Sequence, residues 1–259
     1  MKNINKWLAY SDLAWTEPII APPDEYAEET GLLVNAIREH SANEVKTLLH
    51  LGCGAGGNDY TFKKHFEVTG VDISQNMLEI ARRLNPEVAY FHGDMRTIEL
   101  DGCFDAMAIP DSIAYMAMEE DLQSALVTAQ KHLKPGGVLL IVASTAEQFS
   151  QNNFIYTGTR GDIEITVLEN NYIPDPAGTI CEATLIYLIR RQGELEIHTD
   201  RHILGLFKLQ TWLDLLKKAG FDIVNQTNID HAYDRFIAGE GKYQQLILVC
   251  RKVPDKTVV

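Results

Sequence analysis

An apolar run that breaks into a glycine-rich turn constrains this chain more than any other segment. Thr47-Leu48-Leu49-His50-Leu51 is followed by Gly52-Cys53-Gly54-Ala55-Gly56-Gly57, and a second apolar stretch ends in Gly70-Val71-Asp72-Ile73-Ser74. The pattern predicts a strand, a tight loop, a helix, and a second strand closed by a carboxylate. Glycines in such a loop let backbone N–H groups approach a ligand with no Cβ in the way. A carboxylate at the end of the next strand is placed to accept two ribose hydroxyl hydrogens. Together they predict an adenosine-containing cofactor.

Two spacings coexist in the loop. Gly52, Gly54 and Gly57 fit G-x-G-x-x-G with Asp72 about 20 residues on, the arrangement of a dinucleotide site. Gly52, Gly54 and Gly56 fit the shorter G-x-G-x-G. A lone match of either kind is weak, so the rest of the chain arbitrates.

Residues 1–22 form an arm with Trp7, Tyr10 and Trp15, broken at Pro22-Pro23. Asp24 is placed to cap a helix to His40, with Tyr26, Leu32, Leu33, Ala36 and Ile37 at helical spacing. Strands are expected at 47–51, 67–72, 88–92, 104–109 and 137–143, with helices at 57–66, 75–84 and 119–132. Such alternation implies a largely parallel sheet with helices on both faces and ligands at the carboxyl ends of its strands. The glycine loop, Asp72, Asp94 and Asp111 all fall at such ends. From 145 to 207 the rhythm changes to strand segments punctuated by Gly and Pro, an antiparallel meander. A helix at 210–219 and strands at 221–225 and 244–251 close the chain.

Four segments, in order, now support a resemblance. They are Leu49-His50-Leu51-Gly52-Cys53-Gly54-Ala55-Gly56, then Gly70-Val71-Asp72-Ile73-Ser74 with Met77-Leu78 and Ala81-Arg82, then Gly93-Asp94-Met95, and Leu133-Lys134-Pro135-Gly136-Gly137 before Val138-Leu139-Leu140-Ile141. Residues 47 to about 144 resemble the core of a class I, Rossmann-like, S-adenosylmethionine (SAM)-dependent methyltransferase. The resemblance implies an α/β fold: a Rossmann-like, seven-stranded, mostly parallel sheet with helices on both faces and an antiparallel β insertion after strand five. The expected layout is a single domain over 1–259, with an arm and helix at 1–43, a SAM-binding core at 44–144, a β-rich lid at 145–207, and a closing helix and strands at 208–252. The meander resembles, in architecture only, the insertion of small-molecule N-methyltransferases such as the sugar N,N-dimethyltransferases.

The resemblance also implies site residues. Gly52, Cys53, Gly54 and Gly56 approach the methionine and ribose of the cofactor. Asp72 takes the ribose diol, Ile73 and Met77 flank the adenine, and Asp94 and Met95 receive its edge. Pro110, Asp111, Ser112 and Tyr115 pass beneath the sulfonium toward the acceptor, with Asp111 balancing positive charge, Ser112 contacting substrate and Tyr115 orienting by hydrogen bond. Tyr10 and Trp15 resemble an aromatic pair folded over the cofactor. One position departs: where the family usually has Asp or Glu holding the methionine end of the cofactor, this chain has His50, whose neutral imidazole can still hydrogen-bond there.

The implied activity is methyl transfer from SAM, with S-adenosylhomocysteine (SAH) as product, to a small-molecule nitrogen or oxygen by in-line displacement. Two alternatives stay open: a protein that binds SAM or SAH without catalysis, and a nicotinamide-dependent oxidoreductase. In the lid, Glu169, Asn170, Asn171 and Tyr172 sit at one strand end and His198, Asp200, Arg201 and His202 cluster near another, without a ranking. His198 and His202 share a face but bring no assured third ligand, so no metal is expected.

Over 259 residues the formal net charge is −13. That argues against nucleic acid as substrate, since phosphate binding needs a basic surface. Cys53, Cys103, Cys181 and Cys250 are scattered with no C-x-x-C pair, which predicts reduced thiols. The first six residues lack the apolar core of a signal peptide, and no run is long enough to span a bilayer, so the cytoplasm is expected. An exposed meander edge makes a homodimer the expected assembly.

Overall fold

The computed structural model describes residues 7–230 and 233–253; the reading of the first six residues lies outside them. Side chains of successive strand residues point to opposite faces. Leu49 and Leu51 of β1 (Thr47–Leu51) accordingly join Met107 and Ile109 of β4 (Phe104–Pro110) and Leu139 and Ile141 of β5 (Leu133–Ala143) in one buried cluster. Leu48 joins Ala106, Ala108, Val138, Leu140 and Val142 in another. Both faces of these strands are therefore covered, which explains their near-continuous apolar runs.

With β2 (Glu67–Asp72), β3 (Ala89–His92), β10 (Phe221–Asp230) and β11 (Gln244–Lys252) they form a seven-stranded sheet of order β10-β11-β5-β4-β1-β2-β3. The pairs among β1 to β5 are parallel; β11 runs antiparallel to both β5 and β10. Helices α2 (Ala27–His40), α3 (Asp59–Phe62) and α4 (Gln75–Leu84) bury Leu33, Ile37, Phe62 and Leu78 on the Leu48 face. Helices α5 (Glu119–His132) and α6 (Leu209–Lys218) bury Leu122, Leu126, Trp212 and Leu216 on the Leu49 face. Among the described residues no helix is long and apolar enough to cross a membrane.

The ends of several elements differ from the sequence expectation. The helix expected over 57–66 shrinks to α3, because the chain must turn back by Phe66 for Glu67 to pair with Thr47. The first helix starts at Ala27, not beside Asp24: Pro23 opens a 3₁₀ turn over Pro23–Tyr26, and no side chain caps either segment. Strand β5 begins at Leu133, so the Lys134-Pro135-Gly136-Gly137 turn lies within its bounds, where the register against β4 shifts.

The segment after β5 is a separate four-stranded antiparallel sheet, β6 (Asn153–Arg160), β7 (Ile163–Tyr172), β8 (Ile180–Arg191) and β9 (Glu194–Gly205), in that order. Its inner face, with Ile165, Val167, Tyr187 and Ile189, buries Leu13 and Ile19 of the N-terminal arm. Ile19 belongs to the short helix α1 (Glu17–Ile20). The approach is close at Gly158, where an added Cβ would sit 2.2 Å from the Ile19 carbonyl oxygen. Backbone cannot yield as a side-chain tip does, so Gly158→Ala should destabilise the protein by about 1–3 kcal/mol. Urea unfolding of the variant measures this; an unchanged midpoint would show that the arm does not dock there.

Candidate active site

A cavity of about 1000 Å³ opens at the carboxyl ends of β1, β2 and β4, its far walls supplied by the arm and the second sheet. This is where an open α/β sheet places its ligands, and the volume lies at the upper end of small-molecule sites. Gly52, Cys53, Gly54, Asp72, Ile73, Met77, Asp94, Met95, Pro110, Asp111, Ser112, Tyr115 and Tyr10 all line it.

The glycine loop is held from behind and open in front. At Gly52, φ is +72° and a Cβ would collide with the Ser112 side chain at 2.2 Å. Ser112 Oγ donates to the Leu51 carbonyl at 3.0 Å, tying the segment after β4 to the loop. At Gly54, φ is +54° and a Cβ would meet nothing within 4 Å, so the backbone there faces free space. The Gly54 N–H donates to Asp72 Oδ2 at 2.8 Å, and the Ser74 N–H donates to Oδ1 at 2.7 Å. Burial pushes the Asp72 carboxyl up, against the pull of those N–H groups. Met77 is buried against Ala14, Ala55 and Tyr10, whereas Ile73 is half exposed at the rim.

Three expected residues do not reach the cavity. Gly56 is a packing glycine, with room for no Cβ because Asn85 Nδ2 and Tyr90 Oη would lie 2.6 and 2.8 Å away. Trp15 turns outward to the second sheet, where the Arg191 guanidinium lies 5.3 Å from its ring centroid. His50 has the even register of Leu48 and so faces the α2–α4 layer. Its Nδ1 lies 2.6 Å from Asp59 Oδ1, and Tyr90 Oη donates to Asp59 Oδ2 at 2.9 Å. The carboxylate missing at position 50 is thus supplied nearby by Asp59, but to His50 and not to the cavity.

The third glycine of the dinucleotide spacing does line the cavity, but its Cβ side is filled. A Cβ on Gly57 would lie 2.7 Å from the Tyr26 ring, and α3 has only four residues to offer a pyrophosphate.

Asp94 lines the cavity, yet its carboxylate is already occupied. Arg96 Nε lies 3.0 Å from both oxygens, and Nη2 lies 2.5 Å from Oδ2. Burial alone would raise this carboxyl, but the Arg96 contacts win and hold it below the usual range.

A hydrogen-bonded chain crosses the roof. The Tyr10 and Tyr115 hydroxyls lie 2.8 Å apart, and Tyr115 Oη lies 2.6 Å from His202 Nδ1. His202 Nε2 lies 2.9 Å from Asp200 Oδ2. Since a carboxylate only accepts, Nε2 carries the hydrogen and Nδ1 is the free base facing Tyr115. Burial lowers the His202 pKa, partly offset by Asp200, and burial raises the Tyr115 hydroxyl well above the phenol range. Trp7 packs over the chain, its ring centroid 4.8 Å from that of Tyr115.

Several of these groups were not singled out by sequence. Trp7 stands in the arm beside Tyr10, and only its distance from the loop hid it. His202 was one of several polar residues without rank; the signal was its even register with Asp200 on β9, which turns both inward.

The family described as "Methyltransferase domain" matches residues 48–137. A dTDP-3-amino-3,6-dideoxy-alpha-D-glucopyranose N,N-dimethyltransferase of Streptomyces fradiae is 34% identical over 204 residues, covering 77% of this chain and 78% of that protein. A dTDP-3-amino-3,4,6-trideoxy-alpha-D-glucopyranose N,N-dimethyltransferase of Streptomyces venezuelae is 32% identical over 119 residues, 45% of this chain and 50% of its own length. Among solved structures, the sugar N-methyltransferase KedS8 of a Streptoalloteichus species shares the fold with a TM-score of 0.75 at 22% identity, covering 93% of this chain and 92% of that one. Fold, glycine loop and strand-end carboxylate define a nucleoside-cofactor enzyme. The chain belongs to the class I SAM-dependent methyltransferases that act on small molecules. Its cofactor is SAM and its product SAH.

Proposed function

We propose that the protein transfers the SAM methyl group to an amine nitrogen of a small molecule. The observation that carries the reading is the chain from Tyr10 through Tyr115 to His202 and Asp200, set in the wall of the cofactor cavity. The names of the relatives, both N,N-dimethyltransferases, support nitrogen over oxygen.

When bound, SAM supplies an electrophilic methyl group on a sulfonium. Gly52 and Gly54 offer backbone to its methionine and ribose, Asp72 accepts the ribose hydroxyls, and Ile73 and Met77 flank the adenine. With Asp94 taken by Arg96, Met95 presents backbone to the adenine edge. Cys53 and Pro110 complete the wall. Ser112 fixes the loop rather than the acceptor.

With SAM bound, a neutral acceptor nitrogen would take up the methyl group, SAH would be left, and the methylated nitrogen would have one proton to shed. Tyr115 Oη takes it while passing its own hydrogen to His202 Nδ1, and Asp200 stabilises the imidazolium. Tyr115 thus needs no low pKa of its own. Trp7 and Tyr10 exclude water from this step.

Incubating the protein with methyl-labelled SAM and a panel of amines and phenols tests the reading. Label should appear on amines; label on phenols alone would overturn the choice of nitrogen.

A homodimer through the outer face of the second sheet accords with this reading. Ile155, Leu168, Leu195 and Ile197 are exposed there, an apolar stripe that water disfavours. Ile197→Glu should convert a dimer to a monomer in analytical ultracentrifugation, and a monomeric parent protein would remove the proposal. The net charge of −13 supports a protein that does not act on nucleic acid, and four free thiols support the cytoplasm.

A further inference from the structure

Beyond Asp72 and Asp94, carboxylates carried by several other elements line the cavity. Glu17 accepts the Tyr26 hydroxyl at 2.7 Å, Glu29 accepts the Tyr233 hydroxyl at 3.0 Å, and Asp111 accepts the Gln245 amide. Glu169 accepts the Asn171 amide at 3.0 Å and a bond from the Tyr156 hydroxyl. All four line the same space. They come from α1, α2, the end of β4 and β7, so four separate elements converge on it. The Tyr156 hydroxyl feels the charges of Glu169, Asp111 and Glu17 together, and Tyr243 feels Asp111, Glu169 and Glu29.

None of the four has an ion-pair partner among the described residues. The guanidinium groups in the wall are those of Arg96 and Arg235, and both are engaged, Arg96 by Asp94 and Asp121 and Arg235 by Glu25. Burial pushes all four carboxyls up, with Asp111 adding to the effect at Glu29. Among the described residues no cation compensates them, which is what a ligand would bring.

A second, independent feature points the same way. Aromatic rings make a box between the carboxylates. Centroids lie 5.1 Å apart for Tyr156 and Phe236, 5.0 Å for Tyr233 and Tyr243, and 5.5 Å for Phe154 and Tyr243. Ring faces attract a cation most where it is stripped of water.

Glu17 and Glu169 also act on the Tyr10 hydroxyl, and Glu169 on that of Tyr115, so these carboxylates lie close to the reacting nitrogen. That nitrogen must be neutral to attack, and the positive charge they complement belongs to a second group. Even with Asp111, next to Ser112, reserved for the methionine end of the cofactor, Glu17, Glu29 and Glu169 remain for another charge. A nucleoside diphosphate would bring negative charge into the same space without a free guanidinium to meet it.

We infer that the methyl acceptor is a diamine or polyamine: one nitrogen reacts at Tyr10–Tyr115, a second is held as an ammonium by the carboxylates and the aromatic box, and no phosphate is attached. This rests on the methyltransferase reading above and separates the acceptor from the dTDP-linked sugars in the names of the relatives.

Calorimetric titration of the SAH-loaded protein with 1,4-diaminobutane, 1-aminobutane and dTDP, at matched ionic strength, tests it. The diamine should bind at least about tenfold tighter than the monoamine, the effect of one charge-assisted contact. dTDP should bind more weakly than the diamine. A Glu29→Gln/Glu169→Gln double variant should lose the preference for the diamine while keeping its SAH affinity, which also reports that it folds. Equal binding of the two amines, or tighter binding of dTDP, overturns the inference and leaves the methyltransferase reading standing. Failure of SAH itself to bind the parent protein overturns both.

Discussion

Replacing Asp72 by alanine is expected to weaken SAH binding by roughly 10²–10³-fold, because two hydrogen bonds to a charged acceptor are worth about 1.5–3 kcal/mol each and are not fully additive. The loss has a second source in the free protein. Asp72 also receives the Gly54 and Ser74 N–H groups, so the variant leaves two loop donors without their acceptor. Asp72→Asn keeps the shape and one carbonyl oxygen but turns acceptors into donors. It should fall between the parent and Asp72→Ala. Calorimetry with SAH gives the affinities, and thermal unfolding of each variant separates a damaged loop from a damaged fold. Full SAH affinity in Asp72→Ala would remove the ribose contact from the site.

Tyr115→Phe and His202→Ala should each lower kcat by about 10²-fold, the lower range for a lost proton-transfer group, with SAM affinity unchanged. Their pH profiles carry the sharper signature. His202 accepts a proton only when neutral, and its pKa is lowered by burial from an ordinary value of about 6.5. The activity of the parent should therefore rise with pH through a limb that lies on the acid side of that value. His202→Ala should lose the limb altogether, and Tyr115→Phe should lose it too, because the phenyl ring cannot pass the proton on. A purely structural role for His202 would lower stability and leave the limb in place. Asp200→Asn tests the tautomer: with an amide at position 200 the ring can present Nδ1–H to Tyr115, and kcat should fall as in His202→Ala.

Much of the sheet could be read from sequence because its period is short and local. Leu48 to Leu51, Ala106 to Ile109 and Val138 to Val142 are apolar in both registers, which only a sheet covered on both faces accommodates. One wall of the cavity was legible for the same reason: Gly52, Gly54 and Asp72 line it from strand ends close in sequence. What failed was direction and reach. Whether His50 faced the ligand or a helix depended on parity within β1, and its even register with Leu48 was the available clue. Trp15 and Trp7 differ by eight positions in one arm, and which of them turned inward depended on how that arm crosses β6 to β9. Glu29, Glu169 and Tyr233 come from distant parts of the chain, and no local pattern announces that they share a wall. Asp24 lost its capping role to Pro23, whose fixed φ suits the start of a tighter turn.

Asp200 has two partners that belong to different parts of the molecule. Its Oδ2 receives the Ala9 backbone N–H of the arm at 2.8 Å as well as His202 Nε2. The same oxygen therefore senses whether the arm is seated and sets the hydrogen on the imidazole. The seating of the arm and the tautomer of His202 thus share one acceptor atom: were the arm to lift, the water shield of Trp7 and Tyr10 and one of the two donors on Asp200 would be lost together.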